Sequence, residues 1–264
     1  MRTTVSPDYE HIRGFIASVP LLFDRGEGTL LFSGRNEVRL FRHGDVCLVA
    51  KRFKRHDIVK QAIYTFFRKD KARRAFENAA AIRARGFDTP APIAYIEDIR
   101  GGMIRQVYYI CEYTDMRPVR DELIEKEPYN ARLAAEYARF VASLHQSGIL
   151  HRDLNSTNTL YRRDGNGYRF QLIDINRMTF YDGKPVPKAE RMENLTLLWR
   201  PDDMYMDVLE KYAAACGWTP EDIDRAIYVK LRHDRRWTRR KKFTGRLKGI
   251  GRLFRRLFRR LFGS

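Results

Sequence analysis

Cysteine is scarce in this chain. Its 264 residues contain three cysteines, at positions 47, 111 and 216. An odd number of cysteines with no short spacing between them excludes a disulfide framework and gives no cysteine-based metal site. Long apolar runs are also missing. No segment approaches the roughly 18 uninterrupted apolar residues of a membrane span, and residues 1–10 lack the apolar core of a signal peptide. These features favour a globular protein of a reducing cytoplasm.

Acidic residues are nearly absent from the C-terminal end. Residues 229–264 contain 15 Lys or Arg residues and one acid, Asp234, which gives this segment a net charge of +14 within a total of +18. The remainder of the chain is therefore only mildly basic. A charge concentrated in this way indicates an anionic partner, either nucleic acid or an anionic membrane.

The last part of this basic segment repeats Leu-Phe-Arg-Arg. At about 100° per residue, its apolar side chains occupy one half of a helix and its arginines occupy the other. This pattern is typical of a helix that lies in a membrane interface. A nucleic-acid tail would not need an apolar stripe, so nucleic acid is disfavoured, and a groove on a partner protein is the other alternative. The residues predicted to contact the membrane are Arg252, Leu253, Phe254, Arg255, Arg256, Leu257, Phe258, Arg259, Arg260, Leu261 and Phe262.

The most informative stretch is residues 149–158, Ile-Leu-His-Arg-Asp-Leu-Asn-Ser-Thr-Asn. A hairpin signal at residues 164–167 follows, and the second strand of that hairpin leads to Asp174. Two carboxylates and one amide are thereby placed on two loop ends, as phosphoryl transfer requires. We predict that Asp153 is the catalytic base, and that Asn158 and Asp174 supply hard oxygen ligands for Mg²⁺.

Upstream, the pattern predicts a strand, a turn at Gly34 and a second strand over residues 29–41, then a third strand over residues 45–53 that carries Lys51. Considered alone, the turn fits an ordinary hairpin and the lysine fits a solvated strand end. Helical periodicity covers residues 58–85, with Asp70 as a possible break and Glu77 on the second half. Residues 1–28 are weakly patterned and are expected to be an extended or partly helical lead-in.

Further elements are predicted on both sides of the central motif. Two strands are expected at residues 93–97 and 103–113, and an amphipathic helix at 129–147. Another helix is expected to begin at the cap residue Thr219 and to end near residue 233.

The chain from roughly residue 30 to residue 177 resembles the protein-kinase-like superfamily. Within it the chain is similar to the lipopolysaccharide core kinases, which include Kdo kinases and heptose kinases, with the atypical RIO kinases as relatives. Three departures from ordinary protein kinases favour this group. Asn155 replaces the usual lysine, Asp174-Ile175-Asn176 replaces Asp-Phe-Gly, and no Ala-Pro-Glu follows.

The resemblance implies further site residues. Lys51 would contact the nucleotide phosphates, and Glu77 would anchor Lys51. Gly34 and its neighbours would cover the phosphates. Glu112 and Tyr113 would lie at the hinge that binds adenine. The implied cofactors are ATP and Mg²⁺.

The resulting prediction is an α+β, two-lobed protein-kinase-like fold. A nucleotide-binding lobe would span residues 1–113, a helical catalytic lobe residues 114–242, and the basic amphipathic helix residues 243–264. The predicted activity is phosphorylation of a sugar hydroxyl on a lipid A precursor, with Kdo favoured over heptose. The protein would be cytoplasmic, bound to the anionic inner face of the bacterial inner membrane. The alternatives are a RIO-like serine/threonine protein kinase and a membrane-bound pseudokinase scaffold.

Overall fold

The N-terminal part of the molecule is built on an antiparallel sheet of six strands. The structure, a computed structural model, describes residues 1–55, 57–198 and 203–239. In space the strands follow the order β1-β5-β6-β4-β3-β2. Their bounds are β1 (Arg2–Val5), β2 (Thr29–Ser33), β3 (Glu37–His43), β4 (Val46–Arg52), β5 (Pro92–Arg100) and β6 (Met103–Glu112).

The first residues of the chain are part of this sheet and its core, which is more structure than the weak patterning indicated. Strand β1 pairs with β5 at the edge of the sheet. A 3-10 helix (Pro7–Ile12) and α1 (Arg13–Asp24) follow. Ile16, Val19 and Phe23 of α1 are buried in an apolar cluster with residues of β3 to β6. The N-terminal segment therefore stabilises the sheet that carries Lys51.

Two helices lie between β4 and β5, as the periodicity predicted. They are α2 (Ile58–Phe66) and α3 (Lys71–Ala84). Asp70 separates them because its side chain caps α3: Oδ1 accepts hydrogen bonds from the backbone N–H of Ala72 at 2.7 Å and of Arg73 at 3.1 Å. Such a cap satisfies N–H groups that have no partner within the helix. The predicted break at Asp70 is confirmed.

The C-terminal part is mainly helical, with short strands around the central motif. Helix α5 (Ala131–Gln146) leads directly into β8 (Ile149–His151), and β9 (Thr159–Asp164) pairs with β10 (Gly167–Leu172) as the predicted hairpin. Residues 220–239 form a further helix, α8, which extends beyond the predicted end. The other elements are β7 (Arg117–Pro118), α4 (Arg120–Leu123), a 3-10 helix (Ile175–Arg177), β11 (Met178–Phe180), α6 (Lys188–Leu195) and α7 (Asp203–Cys216).

Hydrogen bonds hold α8 in place at its N-terminus and near its middle. The Thr219 hydroxyl accepts a hydrogen bond from Asp222 N, and Thr219 N donates to Asp222 Oδ2 at 3.2 Å, so the predicted cap is confirmed. Lys230 is buried, and its ammonium donates to the carbonyls of Thr196 and Leu198 and to Asp234. A buried ammonium needs such partners, since an unpaired charge in the interior is costly.

The predicted two-lobed, protein-kinase-like α+β fold is confirmed. The exact lobe boundaries at residues 113 and 242 remain predictions. The amphipathic segment 243–264 lies outside the described residues. In the part of the chain that the structure describes, no helix is long and apolar enough to cross a membrane.

Gly148 links α5 to β8 and allows a test of this connection. Its φ is +71°, and a Cβ atom there would lie 2.3 Å from Tyr181 O and 2.4 Å from Lys184 O. We expect Gly148→Ala to lower the free energy of unfolding by about 3 kcal/mol, because it combines left-handed strain with a backbone clash. Gly165→Ala is the matched control. Its φ is +54°, nothing lies within 4 Å, and the expected cost is about 1 kcal/mol. Urea unfolding measures both, and equal losses would contradict the clash.

Candidate active site

The loop that carries Asp153 is held in place by a buried histidine. His151 Nδ1 accepts a hydrogen bond from Asp153 N at 3.1 Å, and His151 Nε2 donates to Ile173 O at 3.0 Å. These two bonds require the neutral ring with its proton on Nε2. Burial lowers the pKa of His151, although the carbonyl of Ile173 and nearby carboxylates oppose this shift. His151 therefore joins the loop to the strand end that precedes Asp174.

A second buried histidine supports the same loop from below. The Tyr212 hydroxyl donates to His145 Nδ1 at 2.8 Å, and His145 Nε2 donates to Asn194 Oδ1 at 3.0 Å. The amide of Asn194 then donates to His151 O at 2.8 Å. Burial lowers the pKa of His145 to about 4, so the ring stays neutral and the chain of hydrogen bonds keeps one polarity.

Polar side chains of the loop orient Asp153. Asn155 Nδ2 donates to Asp153 Oδ1 at 3.3 Å, while Asn155 Oδ1 accepts from Thr157 N at 2.9 Å. Asn158 Nδ2 donates to Asp153 O at 2.9 Å. The amide oxygen of Asn158 is thereby the atom available to a ligand in the adjoining cavity. The predicted base and one predicted metal ligand therefore lie on the same hydrogen-bonded loop.

Asp174 has an unusual backbone conformation and meets Lys51 directly. Its φ of 55° is the one positive φ among non-glycine residues in the described ranges, and such local strain concentrates at functional sites. Asp174 Oδ1 accepts hydrogen bonds from Lys51 Nζ at 2.7 Å and from Asn176 Nδ2 at 2.5 Å. Strand β4 and the end of the β9–β10 hairpin therefore meet at this ion pair.

A cavity of about 670 Å³ lies between the two lobes. Lys51, Asn158 and Asp174 line one end of it, and Asp153 lies just outside this lining on the same loop as Asn158. The tip of the β2–β3 hairpin covers the cavity through Leu31, Phe32, Arg35 and Asn36. Gly34 forms the turn, where Gly34 N donates to Asn36 O at 3.1 Å, but it does not itself line the cavity.

The predicted hinge residues line the opposite wall. Glu112 and Tyr113 both face the cavity. Their backbone N–H groups donate to Ala91 O and Cys47 O, and the Glu112 carboxylate accepts a hydrogen bond from the Tyr9 hydroxyl. An adenine bound at this wall would therefore have to hydrogen-bond to carbonyl groups of this segment or to the backbone of Thr114, which also lines the wall.

The structure does not bring Glu77 to Lys51. Glu77 instead accepts hydrogen bonds from Lys69 at 2.7 Å and from Arg73 at 3.0 Å. Burial opposes the charged form of Glu77, but these two cations outweigh it and lower the pKa of the carboxyl. Lys51 takes Asp174 as its partner. The anchoring role of Glu77 therefore remains a prediction that this arrangement does not display.

The residues at the end of the cavity near Lys51 suit a magnesium ion. Asp174 offers a carboxylate whose Oδ1 binds cationic and amide groups, and Asn158 offers an amide oxygen. One carboxylate and one further oxygen are a sufficient protein contribution, because Mg²⁺ keeps several waters and binds substrate phosphates. The donor set fits the predicted metal.

Some supporting residues could not be identified from the sequence. His145, Asn194 and Tyr212 lie on three separate helices and belong to no motif. Arg152, in contrast, belongs to the motif, and it has a structural role because it donates to Glu190 at 3.0 Å and to Thr179 at 2.8 Å. A polar residue at a core-facing helix position was the only signal for His145 and Asn194.

The sequence model of the lipopolysaccharide kinase (Kdo/WaaP) family matches residues 28–229. The chain belongs to this family. The match covers most of the chain and includes Lys51, the central loop and Asp174. The resemblance to the lipopolysaccharide core kinases is thereby confirmed. Membership of this family supports a kinase activity with ATP as the phosphoryl donor.

Two relatives extend the comparison. The KEOPS complex subunit Bud32 of Pyrococcus abyssi is 29% identical over 155 residues, which cover 57% of this chain and 66% of that protein. The chain therefore spans just under two thirds of that relative. A solved structure described as WaaP in complex with acyl carrier protein covers 98% of this chain and 100% of its own, with a TM-score of 0.52 and 18% identity. At this identity the WaaP structure supports the fold of the Kdo/WaaP family member described here.

The buried His145 predicts a loss of stability in mild acid. Its pKa is lowered in the folded state, so the unfolded chain binds the extra proton, and stability falls as pH drops below about 6.5 and levels off below about 4. At pH 5 this one residue should cost about 2 kcal/mol relative to pH 7.5. Urea unfolding at both pH values, with His145→Gln as comparison, measures the difference. An unchanged pH dependence in His145→Gln would contradict this origin.

Proposed function

We propose that this kinase phosphorylates a sugar hydroxyl of the lipopolysaccharide inner core, with Kdo favoured over heptose, on a lipid A precursor. The observation that carries the proposal is the placement of Asp153 beside the end of the cavity where Lys51, Asn158 and Asp174 converge. That end is where the transferred phosphate of ATP would lie, and the base would face an incoming hydroxyl.

The geometry suggests how the reaction proceeds. Asp153 accepts the proton of the sugar hydroxyl while that oxygen bonds to the γ-phosphorus, and the bond from phosphorus to the bridging oxygen breaks to leave ADP. Asn155 holds the Asp153 carboxylate, and His151 fixes the backbone at this residue. Lys51 separates from Asp174 to contact the nucleotide phosphates. Mg²⁺, held by Asn158 and Asp174, would neutralise charge on the phosphates.

The segment after the candidate metal ligands supports a small acceptor. In the described chain, only a 3-10 turn, the short strand β11 and a loop connect Asp174 to α6. A protein substrate needs an extended surface at this point, whereas a sugar hydroxyl does not. This favours a sugar over a polypeptide as the acceptor.

The basic tail supports action at a membrane. As a helix, residues 252–262 would carry an apolar and a cationic face that fit an anionic surface, where each Lys or Arg adds on the order of 1 kcal/mol. A lipid-linked acceptor and the enzyme would then both be confined to the cytoplasmic face of the inner membrane. This part of the proposal rests on sequence alone.

A RIO-like serine/threonine protein kinase is the second candidate, since the Bud32 similarity covers 57% of the chain. It predicts transfer to a protein instead of a sugar. The non-enzymatic alternative, a membrane-bound scaffold, would not require the hydrogen bonds that orient Asp153 or the convergence of Lys51, Asn158 and Asp174.

Asp153→Asn should reduce kcat on a Kdo-lipid A precursor by about 10² to 10⁴, because the amide cannot accept the hydroxyl proton. Binding of ATP should change little. The measurement is transfer of labelled phosphate from ATP, with the acceptor separated from protein before counting.

Asp164→Asn is the control, because Asp164 is the exposed last residue of β9 and its substitution should leave kcat unchanged. Label found only on protein in the wild type, with none on the sugar, would refute a sugar acceptor and favour the protein kinase. No transfer to either substrate would favour the scaffold.

The tail predicts binding to anionic liposomes. The full chain should float with vesicles of phosphatidylglycerol and phosphatidylethanolamine at physiological salt, and a chain ending at Lys242 should not. A variant with serine at positions 253, 257 and 261 keeps every arginine and tests the apolar face separately; it should float much less than wild type. Equal flotation of the truncated and full chains would refute the anchor.

A further inference from the structure

We propose that Lys71, Arg74 and Arg177 form a subsite that binds a carboxylate or phosphate group of the acceptor. The inference rests on the proposed function, since it concerns the second substrate of the same active site. It adds an acceptor-binding role to three cations that belong to none of the motif positions. These residues are called the basic subsite below.

The first turn of α3 has a charge distribution that calls for an anion. It contains Lys71, Arg73 and Arg74 and no acidic residue. The N-terminus of a helix already carries positive partial charge from its free N–H groups, so cations are unfavourable there and anions are favourable. The Asp70 cap satisfies two N–H groups but contributes only one negative charge.

The cations of this turn differ in their partners. Arg73 points to Glu77 and forms an ion pair with it. Within the described ranges, Lys71, Arg74 and Arg177 have no carboxylate at ion-pairing distance, and the guanidinium of Arg74 contacts only the carbonyl of Asp70, at 3.4 Å. Lys71 and Arg177 therefore retain their donors for a ligand, and Arg74 retains all but Nε.

Lys71 lies among other cations, next to Phe53, which lines the cavity. Its ammonium is 6.0 Å from the centre of the Phe53 ring, and the ammonium of Lys51 is 5.1 Å from the same ring. The pKa of Lys71 is lowered, first by burial and then by the positive charges of Arg35, Arg177, Arg74 and Lys51. An anion bound among these groups would relieve their mutual repulsion.

The position of Arg177 places the subsite on the acceptor side of the active site. Arg152 N donates to Arg177 O at 2.9 Å, so Arg177 lies beside the strand end that leads to Asp153. Arg35 and Lys51 line the cavity, but Lys71, Arg74 and Arg177 do not. The subsite therefore lies beside the cavity lining, near the segment that carries the predicted base Asp153.

The two elements that supply the subsite are held together. Asn78 of α3 donates to Ile175 O at 2.7 Å, which joins this helix to the 3-10 turn that ends at Arg177. The guanidinium groups can bind a carboxylate or phosphate through two parallel hydrogen bonds, and Lys71 adds a compact charge. Acidic sugars and phosphorylated lipids both carry such groups.

The kinetic test separates acceptor binding from nucleotide binding. We expect Lys71→Met and Arg177→Met each to raise the KM for a Kdo-lipid A precursor about 10-fold, as loss of one charge-assisted contact does. The KM for ATP should change less than about twofold, and Lys71→Arg should restore most of the affinity. Arg73→Met removes a charge from the same turn and is the control that should leave the acceptor KM unchanged.

Two acceptor preparations identify the anion. If the lipid phosphates are bound, removing them with a phosphatase should abolish the difference between wild type and Lys71→Met. If the sugar carboxylate is bound, the difference should persist, and both results support the subsite. A rise in the KM for ATP with no rise in the acceptor KM would assign these cations to the nucleotide and overturn the inference.

A second test measures anion binding to the protein without measuring phosphoryl transfer. Inorganic phosphate should raise the Tm of the full chain relative to chloride at equal ionic strength, and Lys71→Met/Arg177→Met should lose most of that rise. An equal rise in both proteins would overturn the subsite even if the sugar is phosphorylated. Absence of sugar phosphorylation by the wild type would refute the proposed function, while the phosphate result would still decide whether the basic subsite binds anions.

Discussion

The active site depends on the hydrogen bonds made by neutral His151. One ring nitrogen accepts from the backbone of Asp153, and the other donates to the carbonyl of Ile173, next to Asp174. Without this connection, the catalytic loop and the end of the β9–β10 hairpin would be independent segments. The buried side chains of His145 and Asn194 extend the same network into the helical core. The geometry of the predicted catalytic residues is thus supported by hydrogen bonds between buried side chains.

Helices of the C-terminal part supply the rest of the hydrogen-bond network that supports His151. The polarity of each bond from Tyr212 to His151 requires that His145 stay neutral. Low dielectric surroundings favour that state and also strengthen the bonds. Burial of His145 therefore has two effects: it sets the protonation state, and it fixes the direction of the donors. A surface histidine could do neither.

Sequence reasoning succeeded where a short motif fixes several residues together. The loop and the hairpin could be predicted because residues 151–174 are close in the chain and their turn residues are distinctive. Lys51 could be placed on the cavity wall because it lies near the end of an apolar strand, but its ion pair with Asp174 was not predicted. The break at Asp70 was visible because a capping residue interrupts helical periodicity.

Sequence reasoning was less successful where several cationic side chains compete for the same carboxylate. Glu77 has the spacing expected for an anchor of Lys51, but Lys69 and Arg73 are nearer along the same stretch of chain and bind it. Local charge pairs of this kind cannot be ranked without coordinates. The integration of residues 1–24 into the sheet and core was also hidden, because β1 is only four residues long and its partner β5 is distant in sequence.

The ion pair between Lys51 and Asp174 has a consequence for how strongly a metal ion and a nucleotide would bind, separately and together. A ligand that separates these groups has to offer an anion to one and a cation to the other. Free Mg²⁺ would leave Lys51 without its counter-charge among neighbouring cations, and free ATP would leave Asp174 facing phosphate oxygens. The magnesium–nucleotide complex supplies both charges at once. Under the proposed function, metal and nucleotide would therefore be coupled thermodynamically, each raising the affinity for the other.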